Sequence, residues 1–372
     1  MNAMNAMTSR ERQIRCFSHQ ETDRPAIYSR TGYPRNDTTY DRLKDYLAIH
    51  SDLRGNYGLS EVRINPRVET DIERIDDDTV KYINVLHTPL GDLQSVSLYK
   101  PSSQASYMES YYIKTHEDAL RYLSLPMPEY AKNTGNFFKM EREIGDRGIV
   151  LVNLGTVPGG RIAELCGSET LAVMSIEDRD ILHEICEREL KIILDTLDCL
   201  LAEGVGPFFS ILGEEYITPP LHGPNDFKDF VSRYDKPIID KIHNAGGRVH
   251  MHCHGPIKAL LNDFVSLGPD VLHPIEPPPL GDVSAAEAKK AFGGKICVEG
   301  NIQIHHMYEH TPEDVAEETL RLIRDAFYDG RGLIVSPTAS PYIYGKGETA
   351  FPRYKAMTDA VLSVLAFESR SR

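Results

Sequence analysis

The sequence predicts an α/β protein: a (β/α)8 barrel with an N-terminal helical segment and a β-hairpin insertion. Three observations predict it. From about residue 145 onward, short β-branched runs alternate with longer helical stretches, the pattern of parallel strands joined by helical crossovers. Six strands follow that point, and RPAIYSR (24–30) and SEVRIN (60–65) bring the number to the eight that closes a barrel. The Gly-x-Gly-x-x-Gly turn usual in an open doubly wound sheet is missing. The 372 residues are read as one barrel domain, with 1–10 disordered and 66–115 an insertion.

The elements follow in order. GIVLVNLG (148–155) is a buried strand. Residues 178–204 are a helix, because Ile181, Leu182, Ile185, Leu190, Ile193, Leu194, Leu197 and Leu201 recur at three- and four-residue steps. GPFFSILGEE (206–215) is a strand, and 225–247 a helix with Asn225 as N-cap and a Gly pair as its stop. RVHMHCHG, DVLHPIEP (270–277), KICVEGN (295–301) and GLIVSPT (332–338) are the later strands. Helices near 256–267, 284–292, 312–329 and 350–367 separate and close them, with Thr311 capping the third and Pro312 at its first position. Within 66–115, a hairpin turns at Pro89-Leu90-Gly91-Asp92.

Composition excludes several classes. The net charge of −14 argues against nucleic acid, which needs a basic surface. No apolar run is long enough to cross a bilayer, and no basic amphipathic helix suggests membrane attachment. The N-terminus has no apolar signal-peptide core, and the six cysteines are scattered. That reads as a reducing, cytoplasmic compartment without disulfides.

In a barrel of this kind, sites form where strands end and loops begin. The polar residues there are Arg30, Arg161, Glu214, Glu215, Tyr216, His252, His254, His273, Glu276, Glu299, Asn301, Ser336 and Thr338. His250, His252 and His254 alternate, so a strand would align their imidazoles on one face. His252 and His254 are candidate metal ligands, with Glu214 or Glu276 completing the shell. The other reading is that they only hydrogen-bond inside the barrel, and His250, deeper in, is a core or supporting residue. Of Glu214 and Glu215, one can point inward as ligand or general base. Gly159 and Gly160 beside Arg161 read either as a backbone nest for a carboxylate or phosphate or as a plain tight turn. Glu214, Glu215, Tyr216, Arg161 and Arg30 are the catalytic candidates, and Asn301, Ser336 and Tyr342 the substrate contacts. Tyr342 and Tyr344 form a candidate lid with Gly345 and Gly347 as hinges.

These residues resemble the uroporphyrinogen decarboxylase superfamily, which includes corrinoid-protein:coenzyme M methyltransferases and demethylases. SRERQIRCFSHQETDRPAIY resembles its opening helix and Asp-Arg-Pro strand entry. ILGEEY, HCHG, VEGNI, HTPEDVAEET and GLIVSPTASP resemble its later motifs, in order. The resemblance implies a (β/α)8 barrel with its site at the C-terminal mouth. In the methyltransferase branch a His-x-Cys pair and a later Cys hold zinc. Here His252 matches the histidine, while His254 and Ala339 stand where the two cysteines would be. Such a harder site suits an oxygen substrate better than a thiol. The decarboxylase branch carries an Arg-Gln-Ala-Gly-Arg stretch, whereas YSRTGYPR offers Arg30 and Arg35 at altered spacing, and SPTASP replaces its Gly-His-Gly.

The expectation is a zinc-dependent methyltransferase or demethylase, with zinc on His252, His254 and Glu276. It would move a methyl group from a small-molecule substrate to a corrinoid on a separate partner protein. The resemblance also implies a homodimer. The alternatives are a metal-independent decarboxylase of an aromatic or pyrrolic acid, using Arg30, Arg161 and Glu215, or a non-catalytic ligand-binding barrel. A metal-dependent hydrolase is a further one.

Overall fold

The computed structural model of the chain describes residues 7–370, except 61, 65 and 102–104. The expected disorder of residues 1–6 lies outside the described residues. Ser9 and Arg10 belong to a helix, Ser9–Phe17, capped by the Thr8 side chain.

Eight parallel strands form one curled sheet: β1 Ala26–Ile27, β2 Leu53–Tyr57, β3 Gly148–Thr156, β4 Phe208–Leu212, β5 Arg248–His252, β6 Val271–His273, β7 Cys297–Ile302 and β8 Leu333–Pro337. Their spatial order is 1-8-7-6-5-4-3-2, each strand beside its sequence neighbour, as in a (β/α)8 barrel. The two end strands meet through Asp52. Its N–H donates to Ile27 O at 2.9 Å, and its carboxylate accepts the Ile27 N–H at 2.8 Å. Arg12 and Arg24 neutralise that buried carboxylate at 2.8 and 3.1 Å.

The second strand corrects the expectation. It is LRGNY, not SEVRIN; Arg63–Ile64 instead pairs antiparallel with Glu129–Tyr130, and Glu61 and Asn65 lie outside the described residues. A strand holding Arg, Gly and Asn lacks the apolar signature of a buried strand, so the sequence pattern does not mark it. The insertion is a four-stranded antiparallel sheet, Val68–Asp76, Thr79–Leu86, Leu93–Lys100 and Ala105–Ser110, with its central turn at 87–92 as expected. The helix near 225 is capped at Gly223, not Asn225. Pro224 occupies the first position, where its fixed φ fits and its missing N–H costs nothing. Thr311 caps Pro312–Ala326 as expected, in a reciprocal box with Asp314.

Two apolar layers hold the barrel. Helices pack on the outer face through residues such as Val249, Met251, Ile211 and Val298. Inside, Phe17 of the first helix plugs the N-terminal end against Ala26, Ile149, Phe208, Val271, Cys297 and Ile334. All six cysteines are free. No helix among the described residues is long and apolar enough to cross a membrane.

Candidate active site at the barrel mouth

Every second residue of a barrel strand faces the axis. The axial cavity, about 430 Å³, shows this directly. It is lined by Tyr28 and Arg30, Arg54 and Asn56, Leu151 and Asn153, Ser210 and Leu212, His250 and His252, one alternating pair from each of five strands or strand ends. Gly32 and Ser340 close its side.

The cavity floor is a buried ion pair. Arg54 on β2 makes two hydrogen bonds to Glu299 on β7, at 2.9 and 2.8 Å. Tyr28 lies 4.3 Å beneath the guanidinium. His250 Nε2 is 3.5 Å from the same carboxylate, and burial keeps its ring neutral. The Arg54 charge holds the Glu299 carboxyl well below its ordinary range, against the pull of burial.

Above the floor, hydrogen bonds fix which ring nitrogens carry protons. His273 Nε2 is 3.2 Å from Pro337 O, which only accepts, so Nε2 bears the proton. His273 Nδ1 therefore accepts, from Arg30 at 3.2 Å and from His252 Nδ1 at 2.9 Å. His252 thus carries its proton on Nδ1 and keeps a bare lone pair on Nε2. Burial and the Arg30 charge push its pKa down to about 2, so the ring stays neutral. His254 has a carboxylate beside it: its Nδ1 is 3.2 Å from Glu276 Oε1, an ion-pair contact without hydrogen-bond geometry. The two rings stand edge to face, 4.7 Å apart.

Glu276 does not take the expected place as a ligand. Both its oxygens are used, one toward His254 and the other accepting the Gly255 N–H at 2.8 Å. It stands beside His254, where carboxylates behind metal-binding histidines stand. Glu214 is also excluded from the mouth. It is fully buried against Asp235 of the helix Arg233–Asn244, and no donor reaches either carboxyl. Burial and mutual repulsion raise Glu214 well above its ordinary range, and burial does the same to Asp235. Two facing acceptors must share a proton. Glu215 is the partner turned toward the site. Its Oε2 is buried without a hydrogen bond, burial raises its pKa, and the nearness of His254 opposes that rise.

Other expected residues fall elsewhere. Arg161 lines a separate cavity with Arg63 and Glu189 and binds Glu164 at 3.0 Å. The glycines before it form no anion nest: a Cβ on Gly160 would meet Gly213 O at 2.7 Å, so they permit close packing. Tyr216 is partly exposed beside Glu215. Ser336 is buried, its hydroxyl spent on Pro337 O at 2.9 Å. Asn301 is half-buried at the end of β7. Arg35 does not join Arg30 but lies by Tyr82 and Tyr99 of the insertion. The expected hinges are anchors. The Gly345 N–H donates to Asp37 at 2.6 Å and the Gly347 N–H to Thr39 at 3.0 Å, while Tyr342 is exposed.

Sequence reasoning missed Arg54, Asp235 and the role of His273. Arg54 was hidden by the missed strand. Asp235 sits in a helix whose other charges are solvated, and only the fold turns it inward.

Three comparisons bear on this fold. A family description, uroporphyrinogen decarboxylase (URO-D), matches residues 158–361. No curated protein matches the chain by sequence. Among solved structures, a methyltransferase from Methanosarcina mazei superposes over 96% of this chain and 99% of its own, at 14% identity and a TM-score of 0.62. A B12-independent methionine synthase from Shewanella sp. W3-18-1 covers 80% of this chain and 76% of its own, at 14% identity and a TM-score of 0.44. Because the family match spans more than half of the chain and contains β4 to β8, the protein belongs to the uroporphyrinogen decarboxylase (URO-D) family.

Proposed function

We propose that the protein is a zinc-dependent enzyme that removes a methyl group from a small substrate held in the axial cavity. The acceptor in this reading is a corrinoid carried by a separate protein. One observation carries it: His252 has Nδ1 tied down and Nε2 bare, and its neighbour at the mouth is a second imidazole, His254. The state of His252 is the one in which imidazole binds metal. The donor set fits zinc through one nitrogen of each ring, with Glu215 the carboxylate that retains an unpartnered oxygen. The ligand atoms of this set are not all within 4.8 Å of one another, so Glu215 must turn to join them.

Bound zinc would supply Lewis acidity toward a methoxy or hydroxyl oxygen. The chain's own residues do the rest. His273 sets the His252 tautomer. Glu276 supplies a negative charge beside His254. Arg30, facing the cavity from the end of β1, orients an anionic or carbonyl group of the substrate. On joining the ion Glu215 would give up the proton that its burial favours, because a metal ligand must be the carboxylate.

The decarboxylase reading needs several guanidinium groups around one substrate. In the axial cavity Arg54 is already bound to Glu299, and Arg161 lies in another cavity, which leaves Arg30. The test is His252→Ala. Zinc binding at the mouth and activity should both disappear; stoichiometric zinc retained at the mouth would sink the assignment.

A further inference from the structure

We propose that His306, His310 and Glu318 form a second metal site, on the barrel rim, for a divalent transition-metal ion such as zinc or nickel. His306 and His310 are four residues apart, the spacing that brings side chains to one face of a helical turn. They flank the short helix His306–Glu309 after β7, and the His310 N–H still donates to His306 O at 3.2 Å. Their rings are stacked, with centroids 3.8 Å apart and planes 13° apart, so one ring must rotate about its side-chain bonds for both to aim a nitrogen at the same ion. Glu318 comes from the second turn of Pro312–Ala326, and its Oε2 is 2.9 Å from His306 Nδ1. One ligand atom from each residue lies within 4.8 Å of the other two, and no other three His, Cys, Asp or Glu among the described residues meet that condition.

The chemistry selects the ion. Two imidazoles and a carboxylate suit zinc, nickel or cobalt; magnesium and calcium favour oxygen throughout. Bonds of about 2.0–2.1 Å set tetrahedral ligand atoms about 3.3 Å apart, so the gap between His306 and Glu318 opens by only a few tenths of an ångström. The His306 proton moves from Nδ1 to Nε2 as the ring changes tautomer, and no net proton is released. Arg321, the cation whose charge acts on Glu318, is 3.8 Å from Glu317, and Arg353 donates to the carbonyls of His310 and Thr349, each at 2.7 Å.

The site has a consequence for the mouth. Tyr308 lies between the two histidines; its hydroxyl is 3.0 Å from Tyr40 Oη and accepts the Tyr342 N–H at 3.1 Å. An ion held by His306 and His310 would pin the helix that anchors the Tyr342 segment.

The test uses chelator-stripped protein titrated calorimetrically with zinc chloride and, separately, nickel chloride. The background is the His252→Ala, His254→Ala double variant, so the mouth contributes nothing. The expected result is one ion per chain with micromolar affinity in that background. His310→Gln should lose it, and Glu318→Gln should weaken it at least tenfold. Unchanged stoichiometry and affinity in both variants would overturn the proposal, as would no binding tighter than millimolar in the background. If His310→Gln does not fold, Glu318→Gln decides. Failure of the mouth reading appears elsewhere, as identical binding by wild type and background.

Discussion

The ion pair on the barrel floor and the groups at its mouth are in opposite states, although His250, beside the pair, also has both ring nitrogens buried without a hydrogen bond. On the floor, Arg54 and Glu299 satisfy each other with two hydrogen bonds, and both are essentially inaccessible to solvent. At the mouth, two residues further along the strand, His252 and Glu215 each keep an unused acceptor atom, with His254 beside them. A buried charge pair that is fully bonded has a structural role, because breaking it leaves a desolvated charge. A group of oriented but unsatisfied acceptors is what a binding site requires. The difference separates scaffold from chemistry within one set of strands.

The comparison can be broken from either side, and the largest effect lies on the floor. Arg54→Met should strand the Glu299 carboxylate and destabilise the fold by about 3–5 kcal/mol, read by urea denaturation. A loss under about 1 kcal/mol would mean the floor is not structural. At the mouth, Glu276→Gln should leave the fold intact yet weaken zinc affinity about 10- to 100-fold, because His254 loses the carboxylate beside it. Equal affinity would show that His254 is not a ligand.

Glu214 and Asp235 supply the next test. Their raised pKa values mean the folded state holds a proton that the unfolded chain releases above the ordinary carboxylate range. The sign follows: the folded state binds more protons there, so stability falls as pH rises from about 4 toward the raised values. Asp235→Asn removes the shared proton, should flatten that slope, and should gain on the order of 1 kcal/mol near pH 8. Thermal unfolding across pH would show it, and an unchanged slope would count against the pair. The smallest effect belongs to the insertion, whose strand Val68–Asp76 is exposed throughout. Ile72→Thr should change stability by less than about 0.5 kcal/mol, checked by the same denaturation.

Much of this was legible in the sequence, and the losses have physical causes. Seven of the eight strands showed as apolar runs because both their faces are buried. LRGNY did not, since its inward residues are Arg54 and Asn56, which serve the polar floor rather than an apolar core. The alternating histidines were legible because period two is set by the strand itself. The His252 tautomer was not, because His273 reaches it from the neighbouring strand. The choice between Glu214 and Glu215 was open in the sequence. The turn after β4 decides it by burying the first against Asp235. The rim histidines passed unnoticed because Glu318 reaches them from the next helix.

The central claim is that the mouth histidines form a Lewis-acid site. Its most direct test is zinc content by elemental analysis in the wild type, in the His252→Ala, His254→Ala double variant, and in the His306→Ala, His310→Ala double variant. The account predicts that the mouth variant loses about one zinc per chain that the rim variant retains. A mouth variant that keeps the full wild-type content would contradict it.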